Sequence, residues 1–595
     1  MSFHPNEVQR RARLAAALLT LAFVFLIGSF FRTQVLQHAQ YVLQSEENRL
    51  REVPLPAPRG VVYDRHGQII AENLPGYSVS LLAPGVDSLR AALRRLAGTI
   101  ALSPEQIDQA VRRFRRAPNR PAVIFPDASF DVVSVLEEHR VEFPGLIIQS
   151  APKRYYPNGP AIAAFIGYTG EVNESELGSA SFRGYKAGQQ VGKDGLEKQY
   201  ESRLRGREGT RFVEVDARGR VVREAGARQD LQPEAAPPLY TNIDMDLQKY
   251  VVELFGDSLI GGVVAMVPQT GEVLALHSAP SFDPNRFIGG IPVEYWRALN
   301  DDARRPLYNK AIKGTYAPGS TWKLATAVLG LQSGLVTLED QMPVACNGGY
   351  QYGNRRFKCW DKKGHGRLTL AQAIELSCDV YFYQLGLKIG LSRLVAGGVD
   401  LGGRERTGID LPAETRAIFP TAPASEYYNR RFGPRGWSNA VSLNLAIGQG
   451  ENAQTVVNMA RFYTALATDG AGAQPEIVRG EAQRKQLFTL NAEQMTGLRK
   501  ALAGVVQHGT AAASQIQGVM LAGKTGTAQS GRFNGAAELN HAWFVGFAPA
   551  ENAQIVVAVM LEFGGHGTRA AHIASKIIEH YLKVQTTQVL NTEGE

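Results

Sequence analysis

The sequence predicts a membrane-tethered, multidomain α+β protein, and three observations carry that prediction. Residues 14–31 are eighteen residues without a charge, close to the N-terminus. The length of 595 residues exceeds what one hydrophobic core supports, so two or more domains follow. From about residue 240 to 583, runs with strand character alternate with runs of helical periodicity. At 44% hydrophobic and 20% charged residues, the composition is that of an ordinary globular protein. The net charge of +8 raises the question of a nucleic-acid partner. The basic residues are spread out, however, and the densest cluster (203–228) is interleaved with glycines and acids. No nucleic-acid module is present, so mild attraction to an anionic membrane is the simpler reading.

Taken in order, residues 14–31 would measure ~27 Å as a helix, enough to cross most of a bilayer. Arg10, Arg11 and Arg13 precede the run and only Arg32 follows closely. The positive-inside rule therefore puts residues 1–13 in the cytoplasm and everything after residue 32 outside. A cleaved signal peptide is the alternative, but its apolar core would usually be shorter and no A-x-A site follows. No second span of that length occurs, which predicts a single pass.

Residues 32 to about 60 begin helical and turn extended through Pro54, Pro56 and Pro58. Arg59-Gly60-Val61-Val62-Tyr63-Asp64-Arg65-His66-Gly67 follows, then an alternating strand; a hairpin with Arg–Asp pairing would account for it. Within about 86–145, Leu89, Leu93 and Leu96, then Ile107, Val111 and Phe114, recur at helical spacing. They predict a small helical head inserted between strands, suited to protein contact. Glu197 and Glu201 could be paired carboxylates of the glycosidase kind, but Leu196 and Tyr200 favour a packing face. Residues 233–238 read as a linker that closes the region 32–235.

Beyond it, 262–267 and 272–277 are two strands about a Pro268-Gln269-Thr270-Gly271 turn. Residues 519–528, 541–548 and 554–562 are three more. Ile573, Ile577, Ile578 and Leu582 mark an amphipathic helix on them, leaving 584–595 as a tail. The expectation for 240–583 is an antiparallel sheet flanked by helices.

Three stretches carry chemistry. In Gly319-Ser320-Thr321-Trp322-Lys323, a helix apolar on nearly every face begins with a hydroxyl and an amine one turn apart. Burial and the helix dipole both favour a neutral Lys323, which makes it a base beside a nucleophile. The bland reading is Ser320 as an N-cap with Lys323 reaching to solvent. Ser377-Cys378-Asp379 lies between two apolar helical segments, and Lys524-Thr525-Gly526-Thr527 lies on a strand.

SxxK, Sx(N/D) and KTG in this order resemble the serine acyl-transferases that react with penicillin. The 59–67 stretch, Arg154-Tyr155-Tyr156-Pro157, Ile166-Gly167-Tyr168 and residues 195–206 resemble the non-catalytic pedestal of class B penicillin-binding proteins. The resemblance implies a peptidoglycan D,D-transpeptidase with a penicillin-binding, β-lactamase-like catalytic domain. Ser320 would attack the carbonyl between the terminal D-alanines of a stem peptide, and Lys323 would take its proton. Ser377 would pass that proton to the leaving amine. Lys524 would hold the substrate carboxylate region and keep Lys323 neutral, and Thr525 and Thr527 would offer hydroxyls. Gly526 would let the substrate lie along the strand, and the N–H groups of Ser320 and Thr527 would form an oxyanion hole.

Asp379 departs from the commoner SxN. With His541 to Pro549, it resembles the elongation-specific penicillin-binding protein 2 branch. That branch implies a SEDS-family polymerase of the RodA type and elongation-complex proteins as partners, and β-lactams as inhibitors. Whether Asp379 meets Lys323 or substrate, as carboxylate or acid, stays open. The competing readings are a division-specific paralogue, a D,D-carboxypeptidase or β-lactamase on the same fold, and a non-enzymatic β-lactam sensor.

All three cysteines fall within 33 residues, and with His365 they give C-x12-C-x5-H-x12-C: Cys346, Cys359, His365, Cys378. Cys₃His is a common structural zinc set, and the intervening segment is glycine-rich, charged and poor in apolar residues. One disulfide with a free thiol, or three unlinked buried thiols, are the rivals. The expectation is a structural zinc that pins the turn presenting Ser377.

Overall fold

The structure, a computed structural model, describes residues 5–38, 50–118, 120–215, 221–223, 229–535 and 537–592. The N-terminal helix Pro5–Phe31 continues as a short π-helical turn, Arg32–Leu36. From Val8 to Leu36 it is apolar and long enough to span a bilayer, and none of it is buried against the protein. The helical start expected after residue 32 runs partly outside the described residues. The chain next appears as the strand Leu50–Leu55, which pairs with Gly209–Val215.

The pedestal is built on the long strand Ile69–Leu81, which pairs antiparallel with both Ala122–Ala128 and Leu146–Tyr155. The head forms where expected. Ser103 and Gln106 make a capping box that starts Pro104–Arg116, and the helices Val86–Leu96 and Pro104–Arg116 bury Leu89, Leu93, Leu96, Val111 and Phe114. These side chains form a core of their own with Phe143 and Leu146. The head is not purely helical, because Ala122–Ala128 lies within it and ties it to the long strand.

The 59–67 stretch does more than the expected Arg–Asp hairpin. Arg59 turns away from Asp64 and donates to Glu197 Oε2 (2.7 Å) and Glu201 Oε2 (2.8 Å). Arg154 Nε donates to Glu197 Oε1 (2.6 Å), and Tyr156 Oη donates to the same oxygen. Glu197 is wholly buried, and the two arginines hold it below the ordinary carboxylate range despite that burial. Both carboxylates are committed to structure, which removes the glycosidase reading. Asp64 serves the domain junction: Oδ1 accepts from His66 N and Gln68 N, and Oδ2 from Met245 N, at the start of the catalytic half. Tyr200 Oη donates across the same junction to Asp410 Oδ2 (2.9 Å).

The catalytic sheet has five antiparallel strands in the order Val273–Ala279, Gly261–Met266, Ile555–Leu561, His541–Ala548, Ala522–Ala528. Every residue of the first three is buried, so both faces are covered. Met245–Phe255, begun by an Asp244 cap, and Gly567–Thr592 pack on this sheet, as does the fully buried Val456–Ala467. The C-terminal helix runs past residue 583 to Thr592, so the expected tail is largely helical. Ala522–Ala528 is the edge strand, and the candidate site is built against it.

Candidate active site

The SxxK stretch begins as a 3₁₀ turn, Gly319–Trp322, that feeds the helix Lys323–Gln332. In 3₁₀ geometry residues three apart eclipse, which stacks Ser320 and Lys323 more closely than an α-turn would. The helix is buried on nearly every face, Lys323 included. Ser320 caps nothing: its side chain is half-exposed and makes no hydrogen bond among the described residues. Neither half of the bland reading survives, since Lys323 does not reach solvent.

Two glycines seat this turn on the edge strand. Gly319 has φ +53, and a Cβ there would come within 3.0 Å of Thr527 O. A Cβ on Gly526 would lie 2.8 Å from Pro318 O and 3.1 Å from the Thr321 methyl. Gly526 is therefore required for the Gly319–Trp322 turn to touch the strand. Gly319 N–H also donates to Gly448 O (3.0 Å), and Tyr463 Oη to Thr321 O (2.9 Å), so the turn is fixed from three sides.

Ser377, Asp379 and Lys323 converge. Lys323 Nζ lies 2.7 Å from Asp379 Oδ1, 2.7 Å from Ser377 O and 3.3 Å from Ser377 Oγ. The sequence left the partner of Asp379 open; it is Lys323. Burial pushes the Asp379 carboxyl above its ordinary value, and Lys323 reverses only part of that. Ser377 is not on a helix: its φ is +55, a strained conformation for a serine, and the helix Asp379–Ile389 starts only after Cys378. Ser377 and Cys378 therefore form a bent turn between the two helical segments.

Lys524 is wholly buried and its Nζ donates only to Thr525 O (3.3 Å). Burial first, then the nearby Lys323, holds its amine well below the usual lysine range. The depressed amine of the site is thus Lys524 itself. Thr525 Oγ1 pairs with Thr510 Oγ1 (2.5 Å), and the exposed Thr527 accepts from Gly567 N at 3.3 Å.

Sequence reasoning missed Trp360, whose N–H donates to Asp379 Oδ2 (3.0 Å) and whose indole N–H donates to Leu376 O. Its only signal was a tryptophan in a polar stretch directly after Cys359. Thr510, Tyr463 and Gly567 carried no signal, because their contacts join remote segments.

The four metal-ligand candidates come together. One donor atom from each of Cys346, Cys359, His365 and Cys378 lies within 4.8 Å of the others. His365 Nδ1 is 3.6 Å from both Cys346 Sγ and Cys359 Sγ, and all three cysteines are free. Contact with Cys378 pushes the Cys359 thiol down, and the same contact together with burial pushes the Cys378 thiol up.

Comparison with known proteins bears on this geometry. Residues 261–579 match the family described as penicillin binding protein transpeptidase domain, and 54–234 match the penicillin-binding protein dimerisation domain. The chain belongs to the class B penicillin-binding proteins. Among its curated relatives, peptidoglycan D,D-transpeptidase MrdA of Acinetobacter baumannii is 33% identical over 612 residues, covering 98% of this chain and 89% of that one. MrdA of Escherichia coli K12 is 31% identical over 609 residues, with 96% and 94% covered. Among solved structures, penicillin-binding protein 2 of Helicobacter pylori in complex with MreC aligns with a TM-score of 0.79 at 27% identity, covering 90% of this chain and 99% of that one. Pseudomonas aeruginosa PBP2 in complex with WCK 5153 aligns at 0.66 and 28%, with 89% and 96% covered. This class B penicillin-binding protein is an elongation-type peptidoglycan D,D-transpeptidase, an acyltransferase acting on D-Ala-D-Ala.

Proposed function

We propose that the acyl-enzyme of this transpeptidase forms on Ser320. The observation that carries it is a free, half-exposed Ser320 on a turn locked against the Lys524–Thr527 strand, one step from the Lys323–Asp379 pair. Lys323 and Asp379 share one proton; with it on Asp379, the amine can take the proton of Ser320 as the Oγ–C bond forms. Ser377 Oγ, 3.3 Å from Lys323, carries a proton onward to the departing D-alanine amine. An arriving substrate carboxylate favours the charged form of Lys524 and so offsets the burial that disfavours it. Incubation with fluorescent penicillin tests the assignment: covalent labelling is expected in the wild type and lost in Ser320→Ala. Equal labelling of both overturns it. An amine-acceptor assay separates transpeptidation from a D,D-carboxypeptidase outcome.

The cysteine cluster is read as a structural zinc site. In a zinc tetrahedron the sulfur–nitrogen edge is about 3.5 Å, which fits the two 3.6 Å separations to His365. The ion would hold the Cys359–Trp360 turn and Cys378, and so fix both neighbours of Asp379, with no part in the chemistry. Elemental analysis is expected to find one zinc per chain, and Cys346→Ser to lower melting temperature and acylation together. Metal-free protein with unchanged melting overturns this.

The N-terminal helix supports a single-pass anchor in the bacterial cytoplasmic (inner) membrane, N-terminus inside and catalytic domain in the periplasm. A RodA-type SEDS polymerase and further elongation proteins are the partners this reading names. The relatives solved with MreC and in a peptidoglycan synthase complex support it.

A further inference from the structure

The sequence Tyr427-Tyr428-Asn429-Arg430-Arg431-Phe432-Gly433-Pro434-Arg435-Gly436-Trp437 builds a surface that the acyl-transfer chemistry does not use. The helix Ala424–Phe432 ends at Gly433, φ +80, and the chain folds back so tightly that a Cβ on Gly436 would sit 1.9 Å from Phe432 O. Tyr428, fully buried, anchors this fold-back beneath Trp437, with ring centroids 5.3 Å apart. Trp437 Nε1 donates to Asn429 Oδ1 (2.7 Å). The result is a rigid ledge carrying Phe432, 44% exposed, with Arg430 and Arg435 at its surface. Neither arginine has an acidic partner among the described residues, and the only acid between 424 and 437, Glu426, lies in the first turn.

The ledge is wired to the site. Glu451 accepts from Tyr428 Oη (3.3 Å) and faces Arg431 Nε (3.8 Å). Three residues before Glu451, Gly448 O accepts the N–H of Gly319, next to the nucleophile. Two residues after it, Ala453 bridges to Ile418, beside the exposed Arg416 and next to Phe419, which packs on Trp322. Exposed arginines and aromatic side chains are thus linked to the Gly319–Trp322 turn through residues 448–453.

We propose that this ledge docks the acceptor glycan strand. The class of ligand follows from the chemistry: carboxylates of the strand's stem peptides meet Arg430, Arg435 and Arg416, and the apolar faces of its sugar rings lie on Phe432 and Trp437. A transpeptidase must hold two polymeric substrates, and the proposed mechanism assigns the edge strand to the donor peptide.

The test uses the full chain in detergent micelles and purified, un-cross-linked peptidoglycan strands at low salt, read by cosedimentation. Arg430→Gln/Arg435→Gln is expected to weaken strand binding about tenfold, and Phe432→Ala by a smaller factor. Arg430→Lys/Arg435→Lys is expected to restore most of the binding, and added salt to weaken the wild type toward the double variant. Penicillin labelling, which needs no strand, should keep its wild-type rate. Strand binding unchanged in the double variant, or absent in the wild type, overturns the proposal. So does a parallel fall in penicillin labelling, which would make the ledge a mere support of the site. Loss of binding to phosphatidylglycerol vesicles without loss of strand binding would assign the arginines to the membrane and also overturn it.

Discussion

Two clusters of buried charge lie in this molecule, and they are balanced differently. In the pedestal, Arg59 and Arg154 face Glu197 and Glu201, and each charge is met by an opposite one. In the catalytic half, Lys323 and Lys524 share the single carboxylate of Asp379. Balance fixes protonation: Glu197 is held ionised although it is buried. Imbalance loosens it: burial raises Asp379 and lowers Lys524, so neither is held firmly in its charged form. Charges of the same two signs, similarly buried, make a clamp in one place and a titration-sensitive cluster in the other.

Breaking the balanced cluster should have the largest effect. Glu197→Gln strands the buried Arg154 and leaves Arg59 with Glu201 alone, and is expected to cost about 3–5 kcal/mol, read by urea unfolding of the ectodomain. Glu197 also sets a pH signature. Its folded value lies below the ordinary 4.5, so its contribution is full above 4.5 and is lost as pH falls through the folded value. A variant as stable as wild type would mean the cluster is not a clamp.

Relieving the unbalanced cluster should act with the opposite sign. Lys524→Met removes a poorly bonded buried amine and is expected to gain about 1–2 kcal/mol while penicillin labelling collapses. The unfolded chain binds a proton that the native Lys524 refuses, so this site's stability rises with pH up to the ordinary 10.5. The variant should lose that slope, and a stability loss instead would contradict the imbalance.

The smallest effect is expected from Asp379→Asn, which keeps the shape of the group. Stability should fall by about 1 kcal/mol, less than at Glu197, because Lys323 loses its acidic partner but keeps the Ser377 carbonyl as an acceptor. Asp379 titrates above its ordinary 3.8, so the wild type loses stability as pH rises from there through the folded value. The variant lacks that loss. Its penicillin-labelling profile from about pH 4 to 8 should also lack the inflection that Asp379 supplies, and an unchanged profile would remove the carboxyl from proton sharing.

These contrasts were only half legible in the sequence. The strand His541–Ala548 was readable to the residue, and the other sheet strands to within three, because buried strands are continuous apolar runs. Ser320, Lys323, Ser377 and Lys524 were found through motif spacing, a local property. What joins them was not legible. Arg59 meets Glu197 across 138 residues and Lys323 meets Asp379 across 56, and no periodicity encodes such pairings. The strained backbone of Ser377 was hidden as well, since a serine gives no hint of positive φ. Cys346, Cys359, His365 and Cys378 were legible as a cluster because rarity makes three cysteines conspicuous.

The edge position of Ala522–Ala528 has a consequence for the behaviour of the protein in bulk. A strand at the edge of its sheet is open on that side to any extended chain, including another copy of itself. Its own sequence limits that hazard. Seven residues that include two glycines, two threonines and a lysine have little tendency to stack into sheets of identical strands. Replacing Thr525 or Thr527 with valine or isoleucine would therefore be expected to lower solubility on overexpression, even where the fold itself is unharmed.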